Sequence, residues 1–374
     1  MKELLKPSLN WLMVFVPITL WLDHFQPNSH TAIFVTACLA IIPLAGWLGH
    51  ATEHLAARTN ETVGGLLNAT FGNAAELILA TIALRRGLYD VVKASLTGSI
   101  IGNILLVLGA ACFAGGLKYK VLRFNATAAR SQATLMTLAA IALIAPALFH
   151  YLAGAGNGPA GLAPGELAAK EADLSLEIAI VLILTYAASL LFSLFTHRQL
   201  FENAAEAAGE QEHGAPWTSV KAMSVLAIST GFIAWISEVL VGSVEQAAHA
   251  FGMTSIFIGV IVVAVVGNAA EHSSAILMAM KNRMDLSLGI AMGSSLQIAL
   301  FVAPVLVLAS YVIGPRPMDL VFTPAEVAAV VLAVIITEQI AGDGESHWLE
   351  GLQLLAVYII LGMLFFFLPE PARH

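Results

Sequence analysis

The stretch Gly72-Asn73-Ala74-Ala75-Glu76 occurs twice in this chain, returning as Gly267-Asn268-Ala269-Ala270-Glu271. The shift is 267 − 72 = 195 residues. With no gap it also pairs Gly64 with Gly259, Ala80 with Ala275, Asp90 with Asp285, and Gly98-Ser99 with Gly293-Ser294. Each copy sets an Asn and a Glu three residues apart inside an apolar run. Positions i and i+3 share a helix face, so each copy presents an amide beside a carboxylate. A charged side chain at membrane depth is costly, and such a residue marks a functional site.

The surrounding chain supplies the membrane. Its 374 residues are 58% hydrophobic and 11% charged, against about 25% charged in a soluble domain. The deficit runs the whole length, which predicts an all-α polytopic membrane protein. A span needs roughly 20 apolar residues, and eleven candidates follow: Leu9–Leu22, Thr31–Leu48, Val63–Leu84, Val91–Gly116, Ser131–Tyr151, Leu174–Thr196, Val220–Val241, Thr254–Met280, Leu286–Tyr311, Thr323–Ile340 and Trp348–Leu368. The net charge of −8 comes with no basic run, which argues against nucleic acid as a partner. Cys38 and Cys112 lie in apolar spans and read as buried small residues, neither a disulfide framework nor a thiolate metal site. Lys2 and Lys6 precede an apolar stretch without a small-residue cleavage site, so the first helix is expected to be retained.

The repeat helices are the third and eighth spans. Five spans separate them, so they are expected to cross in opposite directions. The chain therefore divides into an N-terminal extra helix (1–25), a first five-helix half (26–196), an acidic linker (197–219) and a second half (220–374). Inverted repeats of this kind are a common build for secondary transporters, with the ion site near the midplane where the repeats meet. Eleven of the 17 Lys and Arg fall on the side that holds the N-terminus, which predicts a cytoplasmic N-terminus in an inner (plasma) membrane. Glu202, Glu206, Glu210 and Glu212 in the linker read as a solvated segment or as a surface that attracts divalent cations to the site's mouth.

The donor set points to a hard cation. Glu76 and Glu271, with Asn73, Asn268, Ser99, Ser294, Asn103 and Gln297 close by in sequence, offer carboxylate, amide and hydroxyl oxygens and no thiolate. Calcium takes about 6–8 oxygen ligands, and two carboxylates balance its charge; magnesium sheds its water more reluctantly. Glu76 and Glu271 are thus the expected metal ligands for a transported ion, and no resident cofactor is expected. The glycines ahead of each Asn-Glu pair, Gly72 and Gly267, read either as helix breaks or as points of close packing. His50-Ala51-Thr52-Glu53-His54 also fits the inverted zinc-protease pattern, but no further acidic ligand helix follows it. His272, next to Glu271, reads as a buried hydrogen-bonded residue or as a titrating neighbour of the site.

The segment Gly64-Gly65-Leu66-Leu67-Asn68-Ala69-Thr70-Phe71-Gly72-Asn73-Ala74-Ala75-Glu76-Leu77 resembles the first α-repeat of the cation/proton exchangers in the calcium/cation antiporter superfamily. Val266-Gly267-Asn268-Ala269-Ala270-Glu271-His272 resembles the second. The resemblance implies exchange of cytosolic calcium for protons by alternating access, with Glu76 and Glu271 binding calcium and the positions of Asn103 and Gln297 beside the site. It also implies gating or proton-path roles for Glu53 and Glu245. Asn68 and Thr70 align with Val263 and Val265, so the site is expected to be asymmetric. Calcium, protons and the lipid bilayer are the expected partners. A sodium/calcium exchanger and a calcium-permeable channel stand as alternatives at this stage, and homo-oligomerisation stays open.

Overall fold

A computed structural model of the chain describes residues 9–59, 61–154, 161–197 and 217–369. Glu202, Glu206, Glu210 and Glu212 lie outside the described residues. Among the described residues the architecture is helical, apart from one two-stranded ribbon in which Leu122–Arg123 (β1) pairs antiparallel with Glu345–Ser346 (β2).

In chain order, a short 3-10 turn at Leu9–Val14 leads into α1 (Phe15–Phe25), and then come α2 (His30–Ala56), α3 (Glu61–Phe71), α4 (Ala74–Arg85) and α5 (Tyr89–Ile101). A π-helical stretch, Gly102–Val107, joins α5 to α6 (Leu108–Lys118), and α7 (Ala126–Gly154) and α8 (Pro164–Leu191) complete the first half. The second half holds α9 (Ser219–Phe251), α10 (Ser255–Phe257), α11 (Ala264–Gly267), α12 (Ala269–Met280), α13 (Met284–Gln297), α14 (Ala303–Ile313), α15 (Pro324–Ala341) and α16 (Trp348–Phe367). Helix starts follow the local chemistry. Thr218 accepts from the Lys221 backbone at the head of α9. Thr323 and Glu326 cap each other's backbone ahead of α15, with Pro324 in the first turn.

Among the described residues eight helices are long and apolar enough to cross a membrane, and a bent pair, Ser255–Gly267 with Ala269–Met280, is angled by 62°. The third expected span is also broken, into α3 and α4. The repeat seen in the sequence is therefore a repeat of structure. Under the same shift of 195 residues, α4 maps onto α12 from first residue to last, and α5 starts where α13 starts. Both follow-on helices then pass into a π-helical stretch, Gly102–Val107 and Ile298–Val302.

Side-chain contacts sort the loops into two ends. At one end, which carries the ribbon, Lys118 donates to the Met280 carbonyl at 2.9 Å and the Asn125 amide donates to Asp285 at 2.7 Å. Arg130 donates to the Gly342 carbonyl at the same end. At the opposite end Arg86 pairs with Glu238, Lys93 with Asp319, and the Tyr89 hydroxyl donates to the Arg316 carbonyl at 2.7 Å. The α4 helix thus finishes at the opposite end and α12 at the ribbon end. The two broken helices run in opposite senses, as an inverted repeat requires. Their inner termini, Ala74 and Ala269, meet in the middle of the molecule.

Candidate site where the two broken helices meet

Each break falls at the Gly-Asn pair. The last turn of α3 closes with the Gly72 amide on the Asn68 carbonyl at 2.8 Å, and Asn73 then leaves helical geometry at φ −103°, ψ 27°. Asn268 does the same at φ −96°, ψ 5°. Asn is a strong helix N-cap, yet neither side chain caps its own helix, forgoing about 1 kcal/mol of helix stability. Both amides reach across to the other repeat instead.

The crossing is reciprocal. Asn268 Nδ2 donates to Ser99 Oγ at 3.0 Å, and Ser294 Oγ donates to Asn73 Oδ1 at 3.0 Å. Asn73 and Asn268 are repeat mates, and so are Ser99 and Ser294. Residue i of one half touches j of the other while i's mate touches j's mate, which is the signature of a two-fold axis. Asn103 Nδ2 adds a bond to Ser294 Oγ at 3.1 Å, and Asn73 Nδ2 donates to Gln297 Oε1. Asn73, Asn268, Ser99, Ser294 and Asn103 are all buried. The structure therefore gathers six of the eight sequence-predicted site residues into two hydrogen-bonded sets, Asn73 with Ser294, Asn103 and Gln297, and Asn268 with Ser99. The other two, Glu76 and Glu271, stand beside it.

Glu76 and Glu271 occupy the third helical position after each break, in the first turns of α4 and α12. Two helix N-termini therefore point their positive ends at the same region, where negative charge is favoured. The glycines of the pentapeptide make room for groups from the other repeat. A Cβ on Gly267 would come within 3.4 Å of Glu76 Oε1, and one on Gly72 within 3.5 Å of Gln297 Oε1. Both readings of these glycines hold: the helix breaks there, and a neighbour packs into the space.

The two-fold is imperfect in a way that matters chemically. Asn73 is satisfied at both amide atoms. Asn268 spends its NH₂ on Ser99 and on the Ala264 carbonyl at 3.0 Å. A carbonyl only accepts, so this bond fixes which way the amide faces. Asn268 Oδ1 is left buried and without a hydrogen-bond donor, as are Glu76 Oε2 and Glu271 Oε2. Three orphaned oxygens at one buried place, two of them carboxylate, form an acceptor-only set. Leaving such groups unmet costs several kcal/mol, and a hard cation or protons meet it.

Other expectations land elsewhere. Thr70, expected to make the site asymmetric, is exposed on α3 and donates to the Leu66 carbonyl at 2.8 Å. Glu53 is exposed near the ribbon end of α2, 3.4 Å from His50. His54 stacks on Trp217 at 4.5 Å, so the two histidines of the zinc-protease pattern face different partners. Glu245 is half-buried on α9. His272 is half-buried beside Glu271, with Nε2 buried and unpartnered. Sequence reasoning missed the Arg86–Glu238 and Lys93–Asp319 pairs that close the opposite end. Their partners are more than 150 residues apart, and no local pattern links them.

The sodium/calcium exchanger protein family matches residues 29–195 and 221–367. A Ca(2+)/H(+) antiporter of Aphanothece halophytica is 48% identical over 369 residues, covering 96% of each chain. The Ca(2+)/H(+) antiporter ChaA of Bacillus subtilis is 47% identical over 337 residues, covering 90% of this chain and 92% of its own. The solved structure of native YfkE superposes with a TM-score of 0.80 at 41% identity, covering 96% of this chain and all of that one.

Proposed function

The chain belongs to the sodium/calcium exchanger protein family, and from that premise we propose that it is a calcium/proton antiporter. Relatives of this family at high identity are transporters and not enzymes. The reading rests above all on the orphaned oxygens of Glu76, Glu271 and Asn268, which suit calcium in one state and, on the carboxyls, protons in the other. Alternating access then carries calcium out of the cytosol and protons in, with the ribbon end cytoplasmic. Glu53 and His272 lie on the side of Glu271 that leads to that end, and they serve the proton's path. Glu245 serves the gate between α9 and the rest.

The test is ion flux in everted membrane vesicles. A pH step with no sodium present should drive calcium uptake, and a sodium gradient alone should not. Uptake that requires sodium would establish the sodium/calcium rival. Downhill calcium flux indifferent to pH would establish a channel.

Competition for one set of oxygens fixes the sign of the pH effect. Protons favour the carboxylic acid and calcium the carboxylate, so the half-saturation for calcium should rise as pH falls on the loading side. Direct calcium titration of purified protein across pH checks this.

The asymmetry of the two amides yields a separate expectation. Asn268→Ala removes an oxygen free to bind calcium and should raise the half-saturation about tenfold, a factor worth about 1.4 kcal/mol. Asn73→Ala instead leaves Ser294 and Gln297 short of partners, which costs about 1–3 kcal/mol of stability. Its melting temperature should fall more than its calcium affinity.

A further inference from the structure

The ribbon end gathers basic side chains from distant parts of the chain onto one rim. The span Tyr89–Lys118 is 30 residues long, about 45 Å of helix, which matches the bilayer with its headgroups included. Its last residues therefore lie in the headgroup layer. They continue as Leu117-Lys118-Tyr119-Lys120-Val121-Leu122-Arg123, in which Leu117 and Val121 are exposed apolar groups and Lys118, Lys120 and Arg123 are exposed cations. The bond from Lys118 to the Met280 carbonyl brings the α12–α13 turn, with exposed Lys281, to the same rim. Trp348, 44% exposed, opens α16 two residues after the ribbon.

Most carboxylates closest to the ribbon are already engaged, while Glu338, near the end of α15, is exposed. Glu345 pairs with Arg123 at 3.1 Å, Asp343 accepts from the Glu345 amide, and Asp285 accepts from the Asn125 amide. Glu350 is mostly buried behind His347. Among the described residues Lys120 and Lys281 have no ion-pair partner. Cations interleaved with apolar and aromatic side chains at headgroup depth are the chemistry of an anionic lipid surface.

We propose that this rim binds the headgroups of anionic phospholipids, and that the bound lipid steadies α12, whose other terminus carries Glu271. Lys118 clamps the end of α12 through Met280, so charge neutralised at the rim is felt along a rigid twelve-residue helix.

Native mass spectrometry of the purified protein, offered phosphatidylglycerol against phosphatidylcholine, tests the binding directly. Wild type should retain phosphatidylglycerol preferentially, and K120Q/R123Q/K281Q should lose about tenfold in that retention. K120Q/K281Q keeps the Arg123–Glu345 pair and should show the same loss in smaller degree, which covers poor folding of the triple variant. Equal retention of both lipids by wild type, or undiminished retention by K120Q/K281Q, overturns the proposal. So does equal displacement by millimolar glycerol phosphate, which would mark a soluble phosphate and not a lipid as the ligand.

The transport arm rests on the calcium/proton reading. Calcium uptake in phosphatidylglycerol-containing liposomes should exceed that in phosphatidylcholine liposomes several-fold for wild type and equally little for the variants. Wild-type uptake unchanged by lipid overturns the coupling to α12. Absence of calcium/proton exchange in both lipids counts against the functional reading alone, because lipid retention is measured without it.

Discussion

Glu76→Gln and Glu271→Gln should each reduce proton-driven calcium uptake to background, a loss of at least about a hundredfold, or close to 3 kcal/mol. Gln keeps the shape and one carbonyl oxygen, but it carries no charge and takes no proton. The orphaned Oε2 atoms of the two glutamates are the charged part of the acceptor set, so one replacement leaves calcium a single carboxylate in a low dielectric. The double variant should be no worse than either single one, because the pair acts as a unit. Glu76→Asp and Glu271→Asp keep the charge and draw it back by one methylene, so they should retain partial transport. The check is calcium uptake into everted vesicles at equal protein levels, with calcium titration of the purified variants. If both Gln variants exchange calcium for protons at near wild-type rates, these carboxyls do not couple the ions.

The second large effect is structural, and it separates two residues that the sequence pairs. Gly98 and Gly293 are repeat mates, yet their surroundings differ. A Cβ on Gly98 would lie 2.0 Å from the Val260 carbonyl oxygen, in the π-helical stretch Ile258–Val263 of the other half. Nothing lies within 4 Å of a Cβ on Gly293. Gly98→Ala must therefore push α5 away from that stretch, at a cost of about 3 kcal/mol or more. Gly293→Ala should be neutral, or stabilising by up to about 1 kcal/mol, because Ala is the better helix former. Melting temperatures in detergent should show opposite signs for the two variants. Gly98→Ala should also lose transport, since Ser99, which receives the bond from Asn268, moves with its neighbour. Equal melting temperatures would mean that α5 does not pack against Val260 as described.

Much of this was legible from residues alone, for definite reasons. The helical membrane fold follows from an apolar excess along the whole length, and the repeat follows from identity at a fixed shift. Glu76 and Glu271 stand out because a charge in an apolar run needs an explanation. The breaks at Asn73 and Asn268 were legible only as one of two options, because a glycine in a membrane helix serves packing and interruption alike. The exchange of bonds between Asn268 and Ser99, and between Ser294 and Asn73, was out of reach. It depends on how two distant segments approach, and periodicity within a helix carries no such information. The site's asymmetry was expected from Asn68 and Thr70 facing Val263 and Val265, but it arises elsewhere. It comes from Gln297, which engages Asn73, while its repeat mate Gly102 has no side chain to offer Asn268.

The reciprocal bonding of the two repeats also sets a schedule for biosynthesis. Asn73 and Ser99 emerge from the ribosome 195 residues ahead of Asn268 and Ser294. At roughly 5–20 residues per second that interval is about 10–40 s. Throughout it the first half lies in the membrane with an amide, a hydroxyl and the Glu76 carboxyl lacking the groups that will later engage them. The second half, by contrast, meets a ready partner as it inserts. A nascent chain halted before Asn268 should therefore be an early substrate for membrane quality-control proteases, and one halted after Gln297 should be spared.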